Sequence, residues 1–316
     1  MNLIVITGPT GVGKTDLSLD IAEQTGLDII NADSRQIYAE IPIGTAAPTS
    51  EQLSRVKHHF VGTRHIDDYY SASLYEQEVM NLLITEGGRT RIISGGSMMY
   101  IDAVCNGIDD IPTIREDVRI LMKKRLAEEG LESLVAELKH LDPEYWETVD
   151  KNNPRRVIHA LEICHQSGKT YTSFRKASQT TAKDDRLLPN GERLNIIKIG
   201  ITRDREELYE RINDRVLKMV DNGLIEEARR MLPFRHENAL NTVGYKEMFK
   251  YFDGEISLEE AIRQIQSHTR EYARKQLTWY KKDEKMKWFN LSDEKVTTDN
   301  IKKELISIIR LHEQEC

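Results

Sequence analysis

The segment Ile6-Thr7-Gly8-Pro9-Thr10-Gly11-Val12-Gly13-Lys14-Thr15 constrains the fold of this chain more than any other. It comes after the apolar run Leu3-Ile4-Val5-Ile6 and opens a helical pattern, Lys14 to about Gln24, with Leu17 and Ile21 on one face. Gly8, Gly13, Lys14 and Thr15 meet the full Walker A spacing, with Pro9, Thr10, Gly11 and Val12 completing the loop. Glycines let backbone N–H groups turn inward, and a helix N-terminus favours anions. Lysine supplies a point charge, and the threonine hydroxyl can ligate Mg²⁺. The segment therefore predicts a strand–loop–helix unit that cradles a polyphosphate. It does not say whose.

Short apolar runs recur between helical patterns. LDIIN (27–31) and TRIIS (90–94) read as buried strands, and SLYEQEVMNLLITEGG (73–88) as a helix with a glycine stop. This alternation predicts an α/β fold, a P-loop NTPase-like doubly wound parallel sheet covered on both faces. From about 108 to 194 the pattern changes. IREDVRILMKKRLAEEG, LESLVAELKHL and NPRRVIHALEICHQSG are successive amphipathic helices punctuated by glycine or proline, with no strand candidate among them. The expectation is an inserted all-helical domain at 108–194 within a core of 1–107 and 195–316. KASQTTAKDDRLLPNGE (176–192) reads as an exposed polar excursion. LNIIKIGIT (194–202) resumes the strand pattern, succeeded by helices near 204–222, 223–232 and 257–282, a short MKWFN strand and a last helix.

An NTPase would usually place an aspartate at the end of an apolar strand to hold magnesium and organise water. TRIIS runs instead into Gly95-Gly96-Ser97-Met98-Met99-Tyr100, without an acid. The second strand does end in one: Asn31-Ala32-Asp33-Ser34-Arg35-Gln36. Ligands of open parallel sheets gather outside the carboxyl ends of the strands, so Asp33 is expected near the phosphate loop, with Ser34 and Gln36 beside it. A helix N-cap is the alternative role for Asp33.

The formal net charge of −7 excludes coating of nucleic acid by bulk electrostatics but not a local basic groove. Residues 263–287 carry eight Lys/Arg against three Asp/Glu, interleaved with Tyr272, Trp279 and Tyr280. Phosphate contact with aromatic stacking suits a non-helical RNA loop; a solvated helix with aromatics in the core is the plainer reading. Arg119 with Lys123, Lys124 and Arg125 adds further basic points. Cys105, Cys164 and Cys316 lie far apart and form no metal spacing, as expected of reduced thiols with two buried. His58, His59 and His65 lack an HExxH arrangement or any cysteine partners, so no zinc site is expected. No membrane-length apolar run or secretory signal is visible, and a cytoplasmic monomer is expected.

GPTGVGKT, ADSRQIY, IGTAAPT (43–49), Tyr70-Ser71-Ala72 and GGSMMY together resemble the tRNA dimethylallyltransferases. The likeness continues through LDPEYW (141–146), NNPRRVIHALEI (152–163), NTVGYKEM (241–248) and TREYARKQLTWYKK (269–282), nearly the whole chain in order. Ser97 stands where that family usually has threonine, and DKNNP (150–154) where it commonly has HPND. No C-terminal zinc-finger spacing is present, so the resemblance is to the bacterial type.

The resemblance implies that the phosphates are those of dimethylallyl diphosphate and that no phosphoryl group moves. The exocyclic N6 of the adenosine just 3′ of the tRNA anticodon (position 37) would attack the allylic carbon, and pyrophosphate would leave. Asp33 is the expected base. Thr10, the loop amides, Lys14, Mg²⁺ near Thr15 and Arg215 would stabilise the leaving group, Arg211 being the other candidate one turn earlier. The adenine would be received at Asp33, Ser34, Arg35 and Gln36. Ser97, Arg119, the run Arg155, Arg156, Val157, Ile158, His159 and the run Thr242, Val243, Gly244, Tyr245, Lys246 would touch the anticodon stem-loop. The rivals are an adenylate isopentenyltransferase acting on a free nucleotide, a small-molecule P-loop kinase, and a tRNA-binding module with a regulatory phosphate site.

Overall fold

The computed structural model describes residues 1–87, 89–108, 111–179 and 186–313. Seven strands, β1 (Asn2–Thr7), β2 (Ile29–Asn31), β3 (His58–His59), β4 (Arg91–Gly95), β5 (Arg186–Leu187), β6 (Arg193–Thr202) and β7 (Lys287–Asn290), build one sheet. Its order is β3-β2-β4-β1-β6-β5, and β7 also pairs with β6. Every pairing is parallel except that of β5 with β6.

Side chains on a strand alternate between faces, and here the apolar runs divide accordingly. Leu3, Val5, Ile30 and Ile93 enter one core, with Tyr75, Val79 and Ile101. Ile4, Ile6, Ile29 and Ile92 enter a second, with Leu17, Ile21 and Ile301. The unbroken hydrophobic character of these strands reflects burial on both faces, and it is the doubly wound arrangement that the alternation predicts.

The chain divides into two compact units, Met1–Cys105 with Arg186–Cys316, and Asn106–Asp185. The expected insertion through residue 194 is thus corrected at its end. Residues 186–194 return to the sheet as a hairpin, in which the Leu188 amide donates to the Glu192 carbonyl (2.8 Å) and the Gly191 amide to the Leu188 carbonyl (2.8 Å). Leu188 is buried in the same core as Leu194, which a reading of the segment as polar overlooked. Residues 180–185 of the expected excursion, and Cys316, lie outside the described residues. Chain exit and re-entry are joined directly: Arg186 Nε donates to the Val104 carbonyl (3.2 Å), and its guanidinium pairs with Glu76.

The second unit consists of helices Glu116–Leu141, Pro143–Thr148, Pro154–Ser167 and Tyr171–Gln179. Gly130 breaks the first of them at φ 78°, where the sequence pattern also changes. Asp142 is buried and fully used: Oδ1 accepts from the Tyr145 amide (3.0 Å) and the Thr172 hydroxyl (2.8 Å), and Oδ2 from the Thr172 amide (2.7 Å). Val118, Met122, Leu134, Leu138, Val157 and Leu161 form this unit's own core. Cys105 and Cys164 are free and buried. Among the described residues no helix is long and apolar enough to cross a membrane.

Where β4 ends, Gly95 passes so close to the end of β2 that a Cβ there would strike the Ala32 backbone. Gly95→Ala is expected to cost about 1–3 kcal/mol, the range for forced overpacking, read as a lowered urea midpoint at unchanged m-value.

Candidate active site

Residues 8–13 form the loop between β1 and helix Lys14–Thr25. Gly11 (φ 81°) and Gly13 (φ 109°) occupy the left-handed region that turns the chain inward. Gly8 lies against β6, where a Cβ would collide with the Ile201 carbonyl oxygen. Lys14 Nζ donates to the loop's own carbonyls, Gly8 (3.0 Å) and Pro9 (2.9 Å). Three arginines strap the same loop. Arg203 Nε donates to the Val12 carbonyl (3.0 Å), Arg211 Nε to the Gly11 carbonyl (2.9 Å), and Arg215 Nη1 to the Thr10 hydroxyl (3.1 Å). Arg215 Nη2 also reaches the Thr45 carbonyl (3.3 Å). Arg211 and Arg215 are one turn apart on helix Arg205–Asp221, so a single face delivers both.

Four cations on one loop repel. Burial and the Arg215 guanidinium push the Lys14 ammonium down to about 7, against a smaller opposing pull from Asp33. Burial likewise lowers Arg215, again offset by Asp33.

Asp33 lies just past the end of β2. Its Oδ1 accepts the amides of Arg35 (2.9 Å) and Gln36 (3.3 Å), closing a turn rather than capping a helix. Among the described residues, Oδ2 accepts no hydrogen bond. Ser97, buried after β4, holds the neighbouring residue: its hydroxyl accepts from the Ser34 amide (2.8 Å) and donates to the Ser34 hydroxyl (3.1 Å). Gln36 Nε2 donates to the carbonyls of Thr45 and Ala46 (3.1 Å each).

Two cavities meet at this point. The first, about 560 Å³, is lined by Thr10, Gly11, Gly13, Lys14, Thr15, Asp33, Arg211 and Arg215. The second, about 340 Å³, is lined by Ser34, Arg35, Ser97 and Thr242–Gly244, with Lys246 and the apolar Ile212, Val216, Met219 and Leu224. Thr10, Asp33, Arg215 and Tyr272 belong to both walls. Tyr272 is 37% exposed, but the packing around its hydroxyl and the Asp33 carboxylate hold the phenol above its ordinary value, so it stays a neutral donor.

The other residues expected at an RNA surface divide. Arg155, Arg156 and His159 are exposed on the first turns of helix Pro154–Ser167, with Ile158 partly covered and Arg119 partly exposed. Val157 is in the core of that unit, so its side chain is a packing residue and not an RNA contact. Tyr245 is corrected in the same way. Fully buried, it donates to Glu227 (2.6 Å), which also accepts the amides of Ile43 (2.8 Å) and Gly44 (2.7 Å) and so fixes the 43–47 loop under Arg215. Sequence reasoning missed Glu227, the strap formed by Arg203, and Gln276. Gln276 Oε1 accepts the Thr10 amide (2.8 Å) while its Nε2 donates to the Gly96 carbonyl (2.8 Å). Nothing local in the sequence separates these polar residues from solvated ones.

A family model described as IPP transferase matches residues 36–283. The tRNA dimethylallyltransferase 1 of Phocaeicola vulgatus is 59% identical over 290 residues, covering 91% of this chain and 93% of the relative. The tRNA dimethylallyltransferase 2 of Parabacteroides distasonis is 51% identical over 307 residues, covering 96% and 99%. Among solved structures, the tRNA isopentenylpyrophosphate transferase of Bacillus halodurans aligns with a TM-score of 0.69 at 33% identity, covering 99% of this chain and 97% of that one.

The lowered Lys14 ammonium has a measurable sign. Near pH 8 the unliganded cradle holds Lys14 largely neutral, whereas a bound diphosphate favours the charged form and restores the proton. Calorimetry of inorganic pyrophosphate binding at pH 8, in buffers of different ionisation enthalpy, should show proton uptake. Affinity should weaken as pH rises above 7, and Lys14→Met should abolish both effects.

Proposed function

The chain belongs to the IPP transferase family, and from the activity this carries, transfer of a dimethylallyl group to tRNA, we propose the chemistry of its site. Dimethylallyl diphosphate enters the first cavity with its phosphates on the loop Gly8–Thr15. The adenine just 3′ of the anticodon, position 37, turns out of its stack into the second cavity, beside Ser34 and Arg35, with Gln36 on the wall of the first. The observation that carries this reading is the wall common to both cavities: an acceptor (Asp33), a hydroxyl (Thr10) and a cation (Arg215) stand where two substrates could meet.

The adenine N6 is a weak nucleophile because its lone pair is delocalised into the ring. As N6 bonds to the allylic carbon, its proton passes to Asp33, whose Oδ1 is fixed by two amides and whose other oxygen accepts no hydrogen bond among the described residues. The carbon–oxygen bond breaks and pyrophosphate leaves with both electrons. Negative charge grows on the bridging oxygen, and Thr10, Lys14 and Arg215, which line the first cavity, would stabilise it there. Hard oxygen donors suit Mg²⁺, and the first cavity offers the Thr15 hydroxyl and the Asp33 carboxylate. Thr15 would hold the ion, which when bound neutralises diphosphate charge. The apolar Ile212, Val216 and Met219 give the second cavity a dry side, which keeps water from a cation-like allyl group. Arg155, Arg156 and His159 would grip the anticodon stem-loop through phosphates, as would Lys246.

Purified protein, dimethylallyl diphosphate, Mg²⁺ and unmodified tRNA should give prenylated adenosine without ATP. Efficient prenylation of AMP but not tRNA would overturn the substrate, and an obligatory ATP would overturn the reaction. Asp33→Ala should cut turnover by about 10²–10⁴-fold while leaving tRNA affinity nearly unchanged. Arg156→Ala should do the reverse, weakening tRNA binding and reducing its log–log salt slope by about one.

A further inference from the structure

We propose that Gln276 is a positioning residue for prenyl transfer, acting through Thr10; the inference rests on the roles given above to Thr10, Arg215 and Asp33. Gln276 lies near the end of helix Leu258–Tyr280 and is 1% exposed. Its carboxamide spans two separate loops. Oε1 takes the Thr10 amide (2.8 Å) and Nε2 gives to the Gly96 carbonyl (2.8 Å). The first bond withdraws one amide from the phosphate cradle. In exchange it fixes the Thr10 backbone, and so the hydroxyl that meets Arg215 at 3.1 Å. The second bond lands one residue before Ser97, whose hydroxyl fastens Ser34 next to Asp33.

One side chain therefore sets the separation between the leaving-group side of the site and its base side. Gly96 belongs to the same device, because a Cβ there would come within 2.5 Å of Gln276 Nε2. Many buried amides only satisfy the backbone around them. This one satisfies two segments that carry reacting groups, and it ties them beyond the point where the pairing of β1 with β4 ends at Thr7 and Gly95. A displacement of about 1 Å in such a site costs on the order of 100-fold in rate.

The test is Gln276→Leu, which keeps the bulk and removes both bonds, measured on the full chain with dimethylallyl diphosphate, Mg²⁺ and tRNA. Turnover should fall by about 10–100-fold, with the dissociation constant for tRNA within about twofold of wild type by filter binding. Gln276→Glu keeps the acceptor for Thr10 and should recover part of the lost turnover. Combined with Thr10→Ala, Gln276→Leu should add little, because residues that act as a unit lose non-additively. Turnover within about twofold of wild type, a parallel loss of tRNA affinity, or multiplicative losses in the double variant would each overturn the proposal.

Should Gln276→Leu not fold, Gly96→Ala displaces the carboxamide by its methyl group and must give the same turnover-specific loss; a folded, fully active Gly96→Ala overturns the idea. Thr10→Ala separates the two levels. Full activity of Thr10→Ala removes the role of Thr10 and this inference with it. A slow Thr10→Ala beside a normal Gln276→Leu removes this inference alone.

Discussion

The structure has to keep four cations, Lys14, Arg203, Arg211 and Arg215, on a single loop in a protein whose net charge is −7. Like charges at such spacing are unfavourable unless each finds an acceptor. The solution is uniform: every one of them donates to a carbonyl or hydroxyl of residues 8–12. The loop is thus shaped by the cations around it. Burial, and after it the Arg215 guanidinium, lower Lys14, the group best able to give up a proton.

The parallel sheet sets the rest of the geometry. Register places Thr7 opposite Gly95 and Asn31 opposite Ser94, so β1, β2 and β4 end level with one another. The segments leaving these three strand ends are then forced into one neighbourhood: the phosphate loop after β1, Asp33 after β2, and Gly96-Ser97 after β4. An acid is therefore brought to a cationic cradle without being adjacent to it in sequence. Ser97, Gln276 and Glu227 convert that neighbourhood into fixed distances, each by hydrogen bonds that cross between elements.

The legible parts of the molecule were those whose signal is local. The glycine spacing of residues 8–15 and the apolar runs of β1, β2, β4 and β6 are contiguous, and their periodicity reflects burial on both faces. β3 is two histidines long, and β5 is an Arg-Leu pair, so neither could show a period. Asp33 was reachable because a rule about strand ends replaces the missing contact information. Tyr245 was misassigned because the resemblance carried over the run 242–246 as a block, whereas here the ring packs inside and its hydroxyl serves Glu227. Gln276 was invisible for a general reason. Its partner Thr10 lies 266 positions away, and glutamine on an amphipathic helix looks the same buried or solvated.

Arg186 meets Val104 directly, so the chain departs from the sheet and rejoins it at one spot. No strand pairing of the described residues involves a residue between those two points. A helical unit of another length would therefore leave every strand with its present partner, because the sheet is closed by residues on either side of it alone.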